Sequence, residues 1–313
     1  KGMGFSLQEE TREKQTLDVL TDEENGLRVI VSRLGAELIS LARRAPDGEW
    51  IGFLHRDNNL AAPAKGWANH ATVMGYFLQR LKDERSFYRG HEIRGRTHSF
   101  LRTKTWHCVT QPRETGRLTY RIEPGDYGPV EYPLKVSLDL TYQLVGETVR
   151  TAFRFTNREP ELTAHVGFGV HPGFVASSFD SFRFQMPAGI YRRHFSPANF
   201  LSGETEDIRF DGGEMPFERA KLSGSYILEM PQVDSRVFEY SDPPSGRSVS
   251  IDTGSAPYLT IWSDGGPFLC VEPCWGLTDH FDQRPFEQKE GIQRIAPGQM
   301  LEASITMTPR LSS

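Results

Sequence analysis

Cysteine is scarce in this chain. Only three occur in 313 residues, Cys108, Cys270 and Cys274. A small odd number in a long chain is unlike the disulfide framework of a small secreted domain, so we expect reduced thiols. Cys270 and Cys274 with His280 could be zinc ligands, but their spacing matches no common structural zinc site. The sequence therefore predicts no bound metal.

Long apolar runs and long runs of like charge are also missing. No apolar stretch approaches the roughly 18 residues that span a bilayer, and the first twenty residues are of mixed charge without the apolar core of a secretory signal. The net charge of −5 gives no reason to expect nucleic acid or an anionic membrane as a partner. We therefore expect a cytoplasmic globular protein, a monomer or homodimer, that binds a small neutral ligand.

The clearest structural signal is a period of two. Residues 134–144 alternate apolar and polar side chains, which indicates a strand with one buried face. Gly146 and Glu147 lead into a second alternating segment that starts at Val149, so the two segments predict an antiparallel hairpin. Other strand-like runs lie at residues 27–31, 118–122, 248–252, 258–262, 268–271 and 301–307.

Helical periodicity is scarce, and 29 glycines and 20 prolines interrupt the chain too often for a helical bundle. Many short strands with frequent turns predict an all-β fold, a sandwich or barrel, and argue against a doubly wound α/β fold. No linker or repeat divides the chain. Residues 1–313 are therefore expected to form a single domain, with residues 1–25 as a peripheral N-terminal extension.

Four passages contain candidate catalytic or binding residues. Histidine and carboxylate groups are the first to consider, because modest shifts bring their pKa values, near 6.5 and 4.3, close to neutrality. Glu272 follows an apolar run, where a charge needs a reason, and Pro172 restricts the backbone of His171 to an extended form. The four passages are residues 75–90 with Arg80, 96–106 with His98, 168–174 with His171, and 268–276 with Glu272.

Each of these residues also has a plainer interpretation. His98 and His171 could be ordinary loop histidines, and a lone histidine is more often structural than catalytic. Glu272 could be a buried ion-pair partner of an arginine, and Arg80 a surface cation beside an aromatic ring. The spacing alone does not identify an enzyme.

Taken in order, the passages resemble the aldose 1-epimerase (galactose mutarotase-like) family, and within it the LacX-like branch. Residues 79–83 and 87–90 are similar to its G-R-L-K-D and Y-x-G, residues 98–102 to its H-G-F-x-R, and residues 169–174 to its G-x-H-P-x-F. Glu272 and Pro273, with Gly276 and Asp279, are similar to E-P-W-x-G-x-x-D. Residues 34–38 and 297–299 resemble its G-A-E-L and P-G-E. The resemblance spans roughly residues 27–310.

This resemblance implies a large antiparallel β-sandwich with an open cleft that holds a monosaccharide. It also implies acid–base catalysis without metal or cofactor, in which Glu272 is the base and His171 the acid. Arg80 and His98 are expected to hold the sugar as fixed donors. Trp275 or Trp262 is expected to stack on the apolar face of the sugar, although a tryptophan in the core is the commoner case.

The sequence departs from the family pattern at several positions. Ser99 stands where the family has glycine, and Gln79 stands where it has glycine or asparagine. Cys274 comes directly after Glu272-Pro273, at the position where the family has tryptophan, and Trp275 follows it. The family's sugar-binding aspartate has no clear counterpart in residues 223–235, where Asp234 is the only aspartate. The identity of the sugar is therefore open.

The sequence thus predicts an isomerase, a cofactor-independent aldose 1-epimerase acting on a free hexose or related aldose. One alternative is a carbohydrate-binding or regulatory protein without turnover. Another is a glycoside hydrolase or lyase, which usually needs two carboxylates where only one is evident. A sugar-phosphate epimerase is a third, with phosphate bound by the cations Arg80, Lys82, Arg85 and Arg89.

Overall fold

The computed structural model describes residues 4–111 and 116–312, and in these ranges it contains β-strands and short 3-10 helices but no α-helix. The strands are β1 (Phe5–Arg12), β2 (Gln15–Asp22), β3 (Leu27–Ser32), β4 (Glu37–Arg44), β5 (Trp50–Gly52), β6 (Ala71–Tyr76), β7 (Arg85–Tyr88), β8 (His91–Arg94), β9 (His107–Cys108), β10 (Arg117–Ile122), β11 (Val136–Val145), β12 (Thr148–Asn157), β13 (Ala164–Val175), β14 (Arg183–Met186), β15 (Gly189–His194), β16 (Thr205–Phe210), β17 (Gly213–Glu214), β18 (Tyr226–Val233), β19 (Val237–Asp242), β20 (Arg247–Asp252), β21 (Tyr258–Trp262), β22 (Phe268–Trp275), β23 (Gln293–Ile295) and β24 (Met300–Leu311). The 3-10 helices are Lys82–Glu84, Leu101–Thr103, Pro124–Asp126, Arg219–Gly224, Pro243–Ser245 and Phe286–Gln288. In the described part of the chain no helix has the length and apolar character to cross a membrane.

The strands form two large sheets and two smaller ones. The nine-stranded sheet has the order β17-β14-β19-β20-β24-β12-β11-β10-β9, and the eight-stranded sheet has the order β16-β15-β18-β21-β22-β13-β23 with β6 also paired to β13. A five-stranded sheet runs from β1 to β5, and β7 pairs with β8. The large sheets pair their strands antiparallel, so the predicted antiparallel β-sandwich is confirmed.

The predicted hairpin is present as β11 and β12. Val145 pairs with Thr148 across Gly146 and Glu147, and Gly146 has a φ of 58°, the left-handed value that a tight two-residue turn needs. The strand predicted to end at residue 271 continues to Trp275. Glu272 therefore lies within β22 instead of at its end, so its backbone is held on both sides.

Alternation along the strands divides the eight-stranded sheet into a core face and an outer face. Phe168 on β13 packs against Phe153 and Phe155 of β12, with ring centroids 4.9 and 4.7 Å apart. One continuous cluster of buried hydrophobic residues extends from Leu20 to Met307. Residues an odd number of positions from Phe168 along β13, His171 among them, therefore point away from the core.

The first strands differ in burial. β1 is exposed along most of its length, whereas β2 buries Leu17 and Leu20. Asp18 on β2 accepts a hydrogen bond from the Tyr120 hydroxyl at 2.8 Å and pairs with Arg33 at 2.9 Å. β1 is therefore an exposed edge strand of the five-stranded sheet, whereas β2 is part of the packed structure.

Asp279 ties together the two segments that follow β6 and β22. Its carboxylate lies 2.5 Å from Nζ of Lys289, and both side chains are almost fully buried. The same carboxylate accepts the backbone N–H of Lys82 at 2.8 Å, and the Asp279 N–H donates to the carbonyl of Arg80 at 3.0 Å. This aspartate of the family motif thus acts on the backbone that presents Arg80.

We expect Asp279→Asn to lower the free energy of unfolding by about 3–5 kcal/mol, because it leaves the buried Lys289 without its counter-charge. Urea unfolding measures the change. Glu302→Gln is the matched control, since it removes an exposed ion pair with Arg154 and should change stability by less than about 1 kcal/mol. Equal effects of the two variants would contradict a role for the buried pair.

Candidate active site

His171 and Glu272 face each other from neighbouring strands. β13 and β22 pair Gly169 with Cys274 and Gly173 with Cys270, and this register places His171 opposite Glu272. Their side chains share the outer face of the sheet, with Nε2 of His171 3.4 Å from Oε1 of Glu272. The structure therefore brings together the two residues expected to act as acid and base, and neither is a loop residue.

Burial shifts the protonation of both groups. His171 is 6% exposed and Glu272 2% exposed. Loss of solvent raises the pKa of Glu272 well above its usual range and lowers the pKa of His171 to about 3, to which the nearby positive charge of Arg102 adds. Burial therefore favours a single proton on the pair, carried by Glu272, beside a neutral imidazole.

His98 contacts this pair from a loop. Its ring centroid lies 5.4 Å from that of His171, and its Nδ1 accepts the backbone N–H of Gln79 at 3.1 Å. Burial, with the positive charge of nearby Arg102, holds the pKa of His98 well below its usual value. A neutral ring that accepts at Nδ1 carries its proton on Nε2, so His98 has one donor free for a ligand.

Two tryptophans enclose His171. The Trp67 ring stacks on the imidazole with centroids 4.8 Å apart and planes 27° apart, and Trp262 meets the imidazole edge-on at 5.8 Å. Trp67 lies in an irregular segment before β6, where no motif marks it, and sequence reasoning missed it. Trp262 lies opposite Cys270 in the pairing of β21 with β22, on the same face as Glu272.

Arg80 is exposed, and its backbone is fixed by hydrogen bonds with Thr278 and Asp279. Its guanidinium has no hydrogen-bond or ion-pair partner in residues 4–111 and 116–312 and contributes to the lowered pKa of His98. The other predicted phosphate ligands are engaged elsewhere. Lys82 lies over the ring of Phe281, Arg85 pairs with Glu92, and Arg89 donates to the carbonyl of Thr163.

The family model described as aldose 1-epimerase matches residues 18–308. The chain belongs to the aldose 1-epimerase family. It is 24% identical over 294 residues to protein LacX (plasmid) of Lactococcus lactis subsp. lactis, covering 87% of this chain and 92% of that protein.

Solved structures of similar fold include a galactose mutarotase related enzyme from Lactobacillus acidophilus, with a TM-score of 0.81, 21% identity and 98% of each chain covered. A galactose mutarotase-like protein from Lactobacillus casei has a TM-score of 0.78 and 19% identity, covering 97% of this chain and 100% of that one. At these identities the structural likeness shows the fold.

Trp275 corrects one expectation. It lies three positions after Glu272 on β22, so it points to the opposite face of the strand. There it stacks on Phe168 with centroids 4.9 Å apart and planes 5° apart, and its Nε1 donates to Oγ of Ser255 at 3.3 Å. Trp275 is therefore a core residue and does not reach the side of the sheet that carries His171. Of the two expected tryptophans, Trp262 is the one beside the pair.

Asp234 is also far from the pair of His171 and Glu272. Thr260, the partner of Glu272, pairs with Ile227 on β18. Asp234 lies seven residues beyond Ile227, and at about 3.3 Å per residue of strand this is roughly 23 Å. The aspartate in residues 223–235 therefore cannot serve as the family's sugar ligand.

Two buried polar atoms at the pair have no hydrogen-bond partner among the described residues. They are Oγ1 of Thr72, which lies next to His171 on β6, and Nδ1 of His171 itself, and both are free to bind a polar ligand.

The Trp67 stack depends on a glycine. A Cβ added at Gly173, two positions after His171 on the same face, would lie 2.5 Å from Cζ3 of Trp67 and 3.2 Å from Sγ of Cys270. We expect Gly173→Ala to displace Trp67, to change tryptophan fluorescence and to cost about 1–3 kcal/mol of stability from overpacking. Urea unfolding followed by fluorescence measures both.

Gly125→Ala is the control for this change, because a Cβ at Gly125 meets no atom within 4 Å. Its effect should stay within about 0.5 kcal/mol. If Gly173→Ala behaves like this control, Trp67 is not held in contact with the sheet as described.

The pair also shapes stability against pH. Between the usual pKa values of 4.5 for Glu272 and 6.5 for His171, the folded and unfolded chains each hold one proton on the pair, which therefore adds no slope. Above pH 6.5 the unfolded histidine releases its proton, whereas the raised pKa of Glu272 opposes release from the folded chain, so the pair lowers stability as pH rises. Below pH 4.5 the unfolded chain binds a second proton that folded His171 does not accept until about pH 3, so stability also falls as pH falls.

We therefore expect Glu272→Gln to lose less stability than the wild type as pH rises from 6.5 to about 9, since the amide has no proton to retain. Urea unfolding at several pH values tests this. Glu229→Gln removes a carboxylate that pairs with His194 at 2.8 Å, and this control should follow the wild-type slope. Identical slopes for all three proteins would contradict a raised pKa at Glu272.

Proposed function

We propose that the chain is a cofactor-independent aldose 1-epimerase that interconverts the α and β anomers of a free hexose or a related aldose. One observation carries this proposal, the buried pair of His171 and Glu272, whose Nε2 and Oε1 atoms lie 3.4 Å apart. Membership of the aldose 1-epimerase family supports the same reaction class.

Anomer exchange requires the sugar ring to open and close again, and the pair supplies the two proton movements. Glu272, once its proton has passed to His171, accepts the proton of the C1 hydroxyl. The C1–O1 bond becomes a carbonyl, the bond from C1 to the ring oxygen breaks, and that oxygen receives the proton of His171. After rotation about C1–C2 the steps run in reverse, so the pair ends with the one proton with which it began.

The surroundings suit this exchange. Little solvent reaches either group, so each proton transfer takes place in a medium of low dielectric where fixed donors act strongly. The Nε2–H of His98 and the guanidinium of Arg80, which have no partner within residues 4–111 and 116–312, are donors for sugar oxygens. The partly exposed ring of Trp262, beside His171, is a surface for the apolar face of the sugar.

The geometry gives less support to the other functions. Hydrolysis of a glycoside usually uses two carboxylates that flank the scissile bond, and in the described residues Glu272 is the one carboxylate in contact with His171. A phosphorylated substrate would need cations that are free, whereas Lys82, Arg85 and Arg89 are each engaged. A binding protein would have no use for a desolvated acid and base, whose burial costs stability.

We expect the wild-type protein to accelerate the mutarotation of freshly dissolved α-D-glucose or α-D-galactose, and Glu272→Gln to lower kcat by about 10²–10⁴-fold because it removes the base. Polarimetry at matched protein concentration measures both rates. Glu229→Gln, which breaks a histidine–glutamate pair elsewhere on the same sheet, should keep wild-type activity.

A wild-type protein that fails with these sugars is tested on pentoses and hexose 6-phosphates in the same assay. Acceleration of only the phosphates would replace the free aldose by a sugar phosphate as substrate. No acceleration of any sugar would reject the epimerase and leave a carbohydrate-binding protein.

A further inference from the structure

Trp67 covers one face of the His171 imidazole. The two rings are stacked at a centroid distance of 4.8 Å with their planes 27° apart, and the Trp67 ring also contacts Trp262 edge-on at 6.0 Å and Phe268 at 5.4 Å. His171 Nδ1 has no hydrogen-bond partner among the described residues. The ring of His171 is therefore oriented on one side by Glu272 and on the other by packing against Trp67.

Trp67 is itself fixed, although it lies outside the strands. Its backbone N–H donates to Oδ2 of Asp264 at 2.9 Å, and its carbonyl oxygen is 3.2 Å from Nε2 of His55. Arg56 donates to the carbonyl of the next residue, Ala68, at 3.0 Å. Three hydrogen bonds thus hold the backbone around Trp67, and Gly173 leaves the space for its ring. A side chain held in this way can transmit a defined position to the ring it touches.

We propose that Trp67 is a positioning residue for His171, which keeps the imidazole aimed at Glu272 and excludes water from its face. The catalytic consequence of this inference rests on the proposed epimerase function. A stacked aromatic ring blocks rotation of the imidazole about its Cβ–Cγ bond. The same ring keeps water from the imidazole and so contributes to the lowered pKa of His171. Trp67 therefore acts on the orientation and the pKa of His171 and not on the sugar itself.

The charged and titratable groups around His171 come from other segments. Glu272 faces it from β22, His98 from the loop after β8, and Arg102 from the 3-10 helix Leu101–Thr103. On β6 its partner is Thr72, which is uncharged. Replacing Trp67 therefore removes the ring packed on His171 and leaves these charges in place. A change in the pKa of His171 then reports on that packing.

The test compares Trp67→Phe, Trp67→Leu and Trp67→Ala with the wild type. Trp67→Phe keeps a π face and should retain kcat within about threefold, whereas Trp67→Ala opens the face and should lower kcat by tenfold or more with KM little changed. Trp67→Leu excludes water without a flat ring against the imidazole and should fall between them. Trp50→Ala is the control, since Trp50 lies on β5 against Arg28 and Arg44, and it should leave kcat unchanged.

A second readout does not depend on turnover. NMR of histidine-labelled protein follows the titration of His171, and in Trp67→Ala its pKa should rise towards 6.5 and its pH–kcat profile should shift accordingly, while Trp50→Ala changes neither. An active wild type with unchanged kcat and unchanged titration in Trp67→Ala overturns the positioning role. An inactive wild type rejects the proposed function, and the titration then still decides whether Trp67 controls His171. If Trp67→Ala does not fold, the comparison of Trp67→Leu with Trp67→Phe carries the same decision.

Discussion

The antiparallel register between β13 and β22 sets the geometry on which the candidate site depends. Because directly opposed residues on neighbouring strands share a face, pairing Gly173 with Cys270 brings His171 to Glu272. A shift of one residue in either strand would turn one side chain into the core and separate the two groups. The register is secured from the core side by Phe168 and Trp275, which stack on each other across the same two strands.

Burial of an acid and a base is unfavourable for the free energy of folding, and the surrounding structure compensates for it. An unpaired buried charge is unfavourable, so Glu272 keeps a proton and His171 stays neutral. Trp67, Trp262 and His98 fill the space around the imidazole with rings, and in this arrangement one proton suffices for the pair. Asp279 and Lys289 form a second buried pair, which secures the backbone that carries Arg80. The site thus contains two buried pairs with different roles. His171 and Glu272 can exchange a proton, whereas Asp279 and Lys289 hold the backbone in place.

Glycine supports the same site at a point where shape matters. Gly173 occupies the outer face of β13 two residues from His171, and its missing side chain is the space in which the Trp67 ring lies. Gly173, at the second variable position of G-x-H-P-x-F, and the unmarked Trp67 are therefore two parts of one contact. The backbone N–H of Gln79 donates to His98, but Gln79 adopts a left-handed φ of 54°, which favours the glycine or asparagine of the family pattern.

Alternation and turn residues were enough to predict the all-β class and the β11–β12 hairpin, because these depend on interactions between residues close in sequence. The motif order was enough to predict the family and to select His171, Glu272, His98 and Arg80. Three features depend on packing between distant segments and could not be predicted from the sequence. They are the extension of β22 beyond residue 271, the core position of Trp275, and the stacking of Trp67 on His171. Which face a tryptophan takes is decided by strand register and by what lies across the sheet, and neither is encoded by its neighbours in the sequence. The sequence by itself therefore determined the fold class and the chemical groups, and the tertiary structure decided which of those groups meet, because only folding sets the distances between strands far apart in the chain.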